Sequence, residues 1–231
     1  MRQIEPIARI HTDFTSKFGI PRQAGIIDAL KGTVVFEPKY RDANALKGLE
    51  GFSRLWLIWE FSESVLAEWS PTVKPPRLGG NTRMGVFATR SPFRPNPLGL
   101  SCVKLEGIEP GTPEGPVLHV AGADMMDGTP IYDIKPYLPY ADSFPDARGG
   151  FTDGMVIETL DVDFPDALLA QFPADRRAAL VEVLRQDPRP GYRHGDDGRR
   201  YGVEFAGFDV RFTVRGGVLR VTDVVPLAER R

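Results

Sequence analysis

The N-terminal half of the chain is built from short apolar segments, most of them rich in β-branched or aromatic residues and bounded by Gly or Pro. Strands are predicted at residues 7–11, 33–36, 54–61, 85–89, 101–107 and 117–122. Many short strands with frequent turn signals favour a β-barrel or a sandwich over alternating strands and helices. The run 55–59 is apolar throughout, which predicts a strand covered on both faces. Residues 62–69 are predicted to form a short helix with Ser62 as its N-cap.

A polar segment at 140–153, interrupted by Gly and Pro, marks the best candidate for a linker. It divides the chain into a predicted β domain at 1–150 and a small α+β domain at 151–231. The fold class expected from this pattern is therefore mainly β with an α+β addition.

The C-terminal part mixes strand and helix patterns. The predicted elements are a strand at 155–164, a helical segment at 166–186, and two further strands at 209–215 and 218–224. Pro173 is expected to divide the helical segment, because a proline inside a helix removes a hydrogen bond and clashes with the preceding turn. The second half of that segment is expected to bury Leu180, Val181 and Leu184. Gly216 and Gly217 predict a two-residue hairpin turn.

Composition narrows the class of protein. The 231 residues are 42% hydrophobic and 26% charged, which is typical of globular proteins, and no apolar run is long enough for a membrane helix. The first residues are charged and do not resemble a signal peptide, and the single cysteine, Cys102, favours a reducing compartment. We therefore expect a cytoplasmic protein. Its net charge of −2 does not by itself indicate a nucleic-acid binder.

The segment 77–100 carries the first candidate site, with four arginines between closely spaced glycines and prolines: Arg77, Arg83, Arg90 and Arg94. Proline reduces the entropy lost when a loop is ordered, and the planar guanidinium matches carboxylate or phosphate. The pattern predicts a rigid site for an anionic or zwitterionic ligand. The alternative is an ordered surface loop whose arginines pair with local acids.

The segment 124–143 carries the second candidate site. Its acids are candidates for a general base or for polar contacts to hydroxyl groups: Asp124, Asp127, Asp133 and Asp142. Asp127 also begins a predicted turn, where an aspartate commonly has only a local structural role. Its tyrosines offer faces on which a base can stack, or else pack in the core: Tyr132, Tyr137 and Tyr140.

A third segment, 187–193, presents Arg189 and Arg193 between prolines, either as a rigid contact to RNA or as a plain connection. Several other chemistries are not indicated. The histidines lack zinc-ligand spacing, so no metal is expected, and there is no P-loop, nucleophile elbow or dinucleotide-binding fingerprint. Cys102 lies in an apolar run and is interpreted as a packing residue.

Four strings in the chain, at 18–23, 77–100, 127–143 and 187–193, together resemble the TrmO (TsaA-like) family of tRNA (adenine-N6)-methyltransferases. The strings begin FGIPRQ, RLGGN, DGTPIYDIKPY and DPRPGYR, and they occur in the order of the family. The resemblance implies a single-sheeted β-barrel with a small C-terminal domain, and a homodimer that binds S-adenosyl-L-methionine near its interface. The implied substrate is threonylcarbamoyladenosine next to the anticodon of tRNA, methylated at N6.

The resemblance also implies roles for particular residues. Cofactor contacts are expected from Pro21, Arg22, Gln23, Phe61, Ser62, Glu63, Arg90, Leu100, Asp127, Gly128, Thr129 and Pro130. Contacts to the tRNA are expected from Arg83, Arg94, Asn96, Tyr137, Arg189, Tyr192 and Arg193. Asp127 or Asp133 is the candidate for the base that removes the N6 proton. Where the family commonly has His-Gln, this chain has Ser62-Glu63, so backbone contacts are expected there.

Three alternatives remain open from the sequence. A non-enzymatic RNA-binding barrel would bind tRNA without S-adenosylmethionine, whereas a methyltransferase of a small metabolite would bind S-adenosylmethionine and ignore tRNA. A hydrolase of a phosphorylated or acylated metabolite is disfavoured, because no nucleophile or metal motif is present.

Overall fold

A computed structural model describes residues 3–64, 68–75, 82–154, 158–190 and 198–227. Six antiparallel strands close a barrel, which confirms the predicted fold class. In chain order they are β1 (Ala8–Thr12), β2 (Lys31–Phe36), β3 (Arg54–Glu60), β6 (Leu98–Thr112), β7 (Gly115–Ala121) and β8 (Thr129–Pro136). Around the barrel the order is β1-β2-β7-β6-β3-β8. Two short strands, β4 (Thr72–Val73) and β5 (Met84–Gly85), pair within the connection between β3 and β6.

The barrel interior follows the two-residue period of a strand, in which alternate side chains point to opposite faces. In β3, Leu55 and Leu57 are fully buried and Trp59 is nearly so, whereas Trp56 and Ile58 are only half-buried. The prediction that this strand is covered on both faces is therefore wrong. The outer face of the barrel is covered only in places, for example where the ring of Tyr137 lies 5.9 Å from that of Trp56.

The second sheet has the order β10-β11-β12-β9, formed by β9 (Asp161–Asp163), β10 (Arg200–Phe205), β11 (Phe208–Arg215) and β12 (Val218–Pro226). The Gly216-Gly217 turn between β11 and β12 is confirmed. Both glycines have positive φ, of 56° and 81°, which side-chain-bearing residues rarely adopt.

Pro173 divides the helical segment as predicted, into α2 (Asp166–Leu169) and α3 (Ala174–Arg185), with the proline at the N-cap of α3. A further short helix, α1 (Pro139–Asp142), follows the barrel. The buried residues of α3 are Ala179, Leu180, Val183 and Leu184. Val181, which was predicted to be buried, is only half-buried, because positions 180 and 181 point a quarter turn or more apart on a helix.

Three other expectations from the sequence need correction, and one strand was missed. The strand predicted at 85–89 is β5 followed by a 3-10 turn at Val86–Ala88. The helix predicted at 62–69 begins as a 3-10 turn at Ser62–Ser64, and residues 65–67 lie outside the described part. The strand predicted at 155–164 is reduced to β9, with 155–157 also outside the described part. Strand β10 was not predicted.

The connection between β1 and β2, residues 13–30, belongs to the second core as well as to the barrel. Phe14, Ile27 and Leu30 are buried among residues of α3 and of the second sheet. The ring of Phe14 packs edge-on against Phe205, with centroids 5.3 Å apart. The backbone of this connection is also bonded to the barrel, since Gly25 N donates to Gly122 O at 2.9 Å. The two sheets therefore share this segment.

Candidate functional site

One end of the barrel gathers most of the predicted site residues. Because the strands are antiparallel, the ends of β1, β3 and β7 meet the starts of β2, β6 and β8. We call this end the site rim. Three connections cross it, at residues 13–30, 61–97 and 122–128. These contain every predicted cofactor residue except Leu100, Thr129 and Pro130, and the last two begin β8 at the same end.

Two of the rim connections are joined by a side-chain bond. The guanidinium of Arg90 donates from Nη1 to Oε1 of Gln23. The amide nitrogen of Gln23 in turn donates to the backbone oxygen of Arg22. Arg22 and Arg90 are exposed, whereas Pro21 is buried. A positively charged group is thus held at the rim by a neutral partner, so its charge is not cancelled by that partner.

A half-buried carboxylate belongs to the third rim connection. Asp124 accepts a 2.5 Å hydrogen bond from the hydroxyl of Ser101, which itself accepts from the indole nitrogen of Trp59 at 2.9 Å. Burial raises the pKa of Asp124, while the Ser101 hydroxyl, backbone amides that include that of Ala24, and the charge of Arg90 act in the opposite direction. The sequence offered Asp124 only as one acid among four. Its partners Trp59 and Ser101 were missed, since no local spacing connects them.

Asp127 is fixed by β1. Its Oδ1 lies 3.1 Å from Nδ1 of His11 and accepts from the backbone amide of Thr12 at 3.1 Å. Its own amide donates to Phe14 O at 2.8 Å. Both Asp127 and His11 are exposed, with 42% and 55% of their side chains accessible. The result is a solvent-facing carboxylate–imidazole pair. The sequence pattern does not point to His11, because more than a hundred residues separate it from its partner.

The turn that follows Asp127 leaves room at the rim. Gly128 has a φ of 77°, and a Cβ built there would meet no atom within 4 Å. Its amide donates to Ile10 O at 2.8 Å, and its carbonyl accepts from Arg9 at 3.1 Å. Thr129 is buried, with its hydroxyl bonded to Met126 O at 2.7 Å, and Pro130 is buried beside it. Asp127 therefore does more than begin this turn, because its carboxylate also contacts His11.

The region after β3 and the arginine segment complete the rim. Phe61 donates from its amide to Pro97 O at 2.8 Å, and Ser62 and Glu63 follow it as exposed residues of a 3-10 turn. Arg94 is half-buried and donates to Thr89 O at 3.1 Å, while Asn96 is exposed.

Arg83 directly precedes β5 and donates to the hydroxyl of Thr72 in β4 at 2.8 Å. Neither Arg83 nor Arg94 has a carboxylate partner within the described residues. For these two arginines the structure does not favour the alternative of local pairing with acids.

Four predicted residues do not lie at the rim. Asp133 and Leu100 flank Ile58 in the register of β8, β3 and β6, on the outer wall of the barrel. The carboxylate of Asp133 is paired with Lys135 at 2.8 Å. Tyr137 follows β8 at the opposite end and packs on Trp56. The side chain of Arg189 is only 4% exposed and its guanidinium is held by Asp187 at 2.8 Å, so its position favours a structural connection over an RNA contact.

Two predicted contacts cannot be placed, since Tyr192 and Arg193 fall outside the described residues, as does Arg77. Within the described ranges no group of three His, Cys, Asp or Glu side chains is arranged to hold a metal ion. No helix in those ranges is long and apolar enough to cross a membrane. Cys102 is half-buried on the barrel wall, and burial raises the pKa of its thiol.

Solved structures first define the class of protein. A crystal structure of TrmO from Pseudomonas aeruginosa superimposes with a TM-score of 0.79 and 35% sequence identity, covering 97% of this chain and 98% of that one. The barrel and its α+β addition are therefore the architecture of TrmO-type proteins. Family models match in both parts: the tRNA-methyltransferase O N-terminal domain at residues 9–143 and the TrmO C-terminal domain at 157–227. The chain belongs to the tRNA-methyltransferase O family.

Similar proteins carry names that agree with this membership. The tRNA (adenine(37)-N6)-methyltransferase of Escherichia coli K12 is 40% identical, over 97% of this chain and 98% of its own length. A Pseudomonas aeruginosa protein, provisionally named as an S-adenosylmethionine-dependent methyltransferase, is 42% identical over 96% of both chains. The tRNA (adenine(37)-N6)-methyltransferase of Eikenella corrodens is 45% identical over 75% of this chain and 97% of its own length.

Proposed function

We propose that this protein uses S-adenosylmethionine to methylate N6 of the adenosine at position 37 of tRNA, when that adenosine already carries a threonylcarbamoyl group. The observation that carries the proposal is the Arg90–Gln23 bond, which brings two separate cofactor-predicted segments together at the site rim. The names and full-length similarity of the bacterial relatives support the same activity.

The groups at the rim fit the chemistry of S-adenosylmethionine, which has a carboxylate, an adenine and cationic ammonium and sulfonium groups. Arg90 or Arg22 would bind the carboxylate, since a charge-assisted bond of this kind contributes about 1.5–3 kcal/mol. The carboxylate of Asp127 would face a cationic group of the cofactor. The open surface at Gly128 would let the cofactor approach the backbone closely.

The bound cofactor supplies an electrophilic methyl group. The protein must align N6 with that methyl, roughly 3–3.5 Å away and in line, which is a positioning task. It must also accept the proton that N6 loses. We assign this role to Asp127 with His11, because both are exposed at the rim and lie 3.1 Å apart. Asp133 is the weaker candidate, since it is paired with Lys135 on the barrel wall.

The threonylcarbamoyl group ends in a carboxylate, and two arginines near the rim are suited to bind it. Arg94 and Arg83 each donate to a neutral oxygen of the protein, from the Thr89 backbone and the Thr72 hydroxyl respectively. Their positive charges thus remain available to an anionic substrate group. Arg94 is the better candidate, because its half-buried guanidinium is oriented by that bond.

We propose further that the protein acts in the cytoplasm as a homodimer. Large apolar side chains are exposed on and near β6, among them Phe87, Phe93, Leu98 and Leu100. Exposed apolar side chains that gather on one face are typical of an association surface. Light scattering on the purified chain would test this, and a monomer at micromolar concentration would reject it.

The decisive experiment is mass spectrometry of nucleosides after incubation of the protein with S-adenosylmethionine and tRNA, with and without the threonylcarbamoyl group. Methylated threonylcarbamoyladenosine is expected only with the modified tRNA. Binding of tRNA without any methyl transfer would favour an RNA-binding barrel instead. Cofactor binding that leaves all tRNA unmethylated would favour a small-molecule methyltransferase.

The arginine assignment adds a variant to the same experiment. Arg94→Ala is expected to reduce the preference for the modified tRNA about tenfold, and Arg94→Lys to keep part of it because the charge remains. An equal loss on modified and unmodified tRNA would remove Arg94 from substrate recognition.

A further inference from the structure

An ion pair links helix α3 of the C-terminal part to the residue at which the first rim connection begins. The guanidinium of Arg176 lies 2.7 Å from the carboxylate of Asp13, the residue that follows β1. Asp13 is mostly buried, with 18% of its side chain exposed, and Arg176 is 30% exposed. The backbone of Asp13 is also bonded to the C-terminal part, since its carbonyl accepts from Ala206 N at 2.8 Å.

The residues on either side of Asp13 hold Asp127. Thr12 donates its amide to the Asp127 carboxylate at 3.1 Å, and Phe14 accepts from the Asp127 amide at 2.8 Å. A shift of Asp13 therefore moves a contact to the Asp127 side chain and a contact to its backbone together. The hydroxyl of Thr12 also donates to Met125 O at 3.0 Å, so the whole turn before Gly128 depends on this stretch of chain.

The same connection carries the Pro21–Gln23 segment and is packed on the C-terminal part. Gly19 lies so close to Val203 that an added Cβ would come within 2.1 Å of its methyl carbon. Further along, Ile27 and Leu30 are buried in the second core. Two of the cofactor-predicted segments, at 21–23 and at 127–130, are thus linked through residues 12–30 to the C-terminal part.

We propose that Arg176 is a positioning residue for methyl transfer: through Asp13 it sets the place of Asp127 and of the rim connection, so that the C-terminal part determines cofactor affinity without touching the cofactor. This inference rests on the function proposed above. Removing Arg176 leaves a mostly buried carboxylate without its cation, which is strongly unfavourable unless the carboxylate moves towards water. That movement displaces Thr12 and Phe14.

The test measures S-adenosylmethionine affinity by calorimetry on the full chain, without tRNA, so that any contact of Arg176 with RNA plays no part. Arg176→Ala is expected to weaken binding about five- to tenfold, in the range of typical coupling between sites. Arg176→Lys is expected to restore most of it. The matched control is Arg177→Ala, which removes the neighbouring arginine of α3, bonded to Phe172 O and Ala170 O within the C-terminal part.

Unchanged affinity in Arg176→Ala would overturn the proposal, and so would an equal loss in Arg177→Ala, which would indicate general loosening of the helix. Hydrogen exchange of the Asp127 and Gly128 amides in cofactor-free protein gives a second readout. Exchange is expected to accelerate in Arg176→Ala and not in Arg177→Ala. If the wild-type protein itself fails to bind S-adenosylmethionine, the proposed function fails, and the exchange measurement still decides whether Arg176 positions Asp127.

Discussion

The role open to an arginine depends on the group that its guanidinium contacts. Arg90 meets the amide of Gln23, whereas Arg189 meets a carboxylate and is buried. Arg90 has a neutral hydrogen-bond partner and stays exposed to a ligand, whereas the charge of Arg189 is paired with Asp187 inside the protein. The sequence could not separate the two cases, since both arginines lie among prolines and glycines.

Arg90→Ala is expected to weaken S-adenosylmethionine binding by about tenfold to a hundredfold, equivalent to the 1.5–3 kcal/mol of a charge-assisted hydrogen bond. Calorimetry gives the affinity directly. Arg83→Ala serves as the control, because Arg83 is assigned to substrate and its loss should leave cofactor affinity unchanged. Cofactor affinity that survives in Arg90→Ala would remove Arg90 from the cofactor site, and tRNA affinity is expected to change far less.

Asp124 gives a pH dependence of stability whose sign is fixed by its environment. Burial raises its pKa above the ordinary aspartate value of 3.8, so the folded state binds the proton more tightly than the unfolded state does. Stability from this group is therefore greatest at low pH and declines as pH rises from 3.8 through the raised folded pKa. Asp124→Asn should lack this decline. Urea unfolding of both proteins across that pH range tests it, and identical pH profiles would contradict the prediction.

At the scale of the element, structural features that depend on residues adjacent in sequence were predicted correctly. Pro173 ends one helix and begins the next, and Gly216-Gly217 forms its turn, because each effect is produced by the local backbone. The length of the strand at 85–89 and the exposure of Trp56 depend on which other elements lie alongside. Those neighbours come from distant parts of the chain, which a local pattern does not contain.

Strand β6 offers a direct test of packing inside the barrel. A Cβ added at Gly99 would lie 2.3 Å from the ring of Trp59, so Gly99→Ala must displace the indole that bonds to Ser101. We expect a loss of about 1–3 kcal/mol in the free energy of unfolding, as in other overpacked cores.

The control for this change lies in the same strand. An added Cβ at Gly107 meets no atom within 4 Å, so Gly107→Ala is expected to change stability by less than about 0.5 kcal/mol. Denaturant unfolding monitored by circular dichroism measures both variants. Equal effects of the two substitutions would show that the close contact at Trp59 relaxes without cost.

At the scale of the whole molecule, the rim is assembled from parts that no sequence pattern links. The family resemblance named most of the rim residues, but the contact between His11 and Asp127 and the position of Leu30 in the second core come only from the three-dimensional arrangement. The division of the chain near residue 150 remains a prediction. The shared segment 13–30 means that the two parts are not independent in packing.

This sharing predicts one cooperative unfolding transition. All three tryptophans, Trp56, Trp59 and Trp69, precede residue 150, so their fluorescence reports on the barrel and its connections. Leu180→Ala removes a fully buried side chain from the second core and should cost about 2–5 kcal/mol. Because the cores are coupled, the tryptophan signal is expected to shift to lower temperature together with the circular dichroism signal.

The control is Val181→Ala, a truncation of a half-buried neighbour on the same helix, which should shift both signals less. Two separate transitions in Leu180→Ala, with the fluorescence midpoint unchanged, would show that the barrel is stable without the second core.

Residues 13–30 contact both the barrel and the second core. This limits how this segment can vary over evolutionary time. An inserted or deleted residue there would disturb both cores and the site rim in a single event. The connection at 37–53 joins β2 to β3 at the other end of the barrel. Among the described residues, it does not contribute to the second core. Changes in chain length among natural homologues should therefore collect in that second connection and be rare in the first.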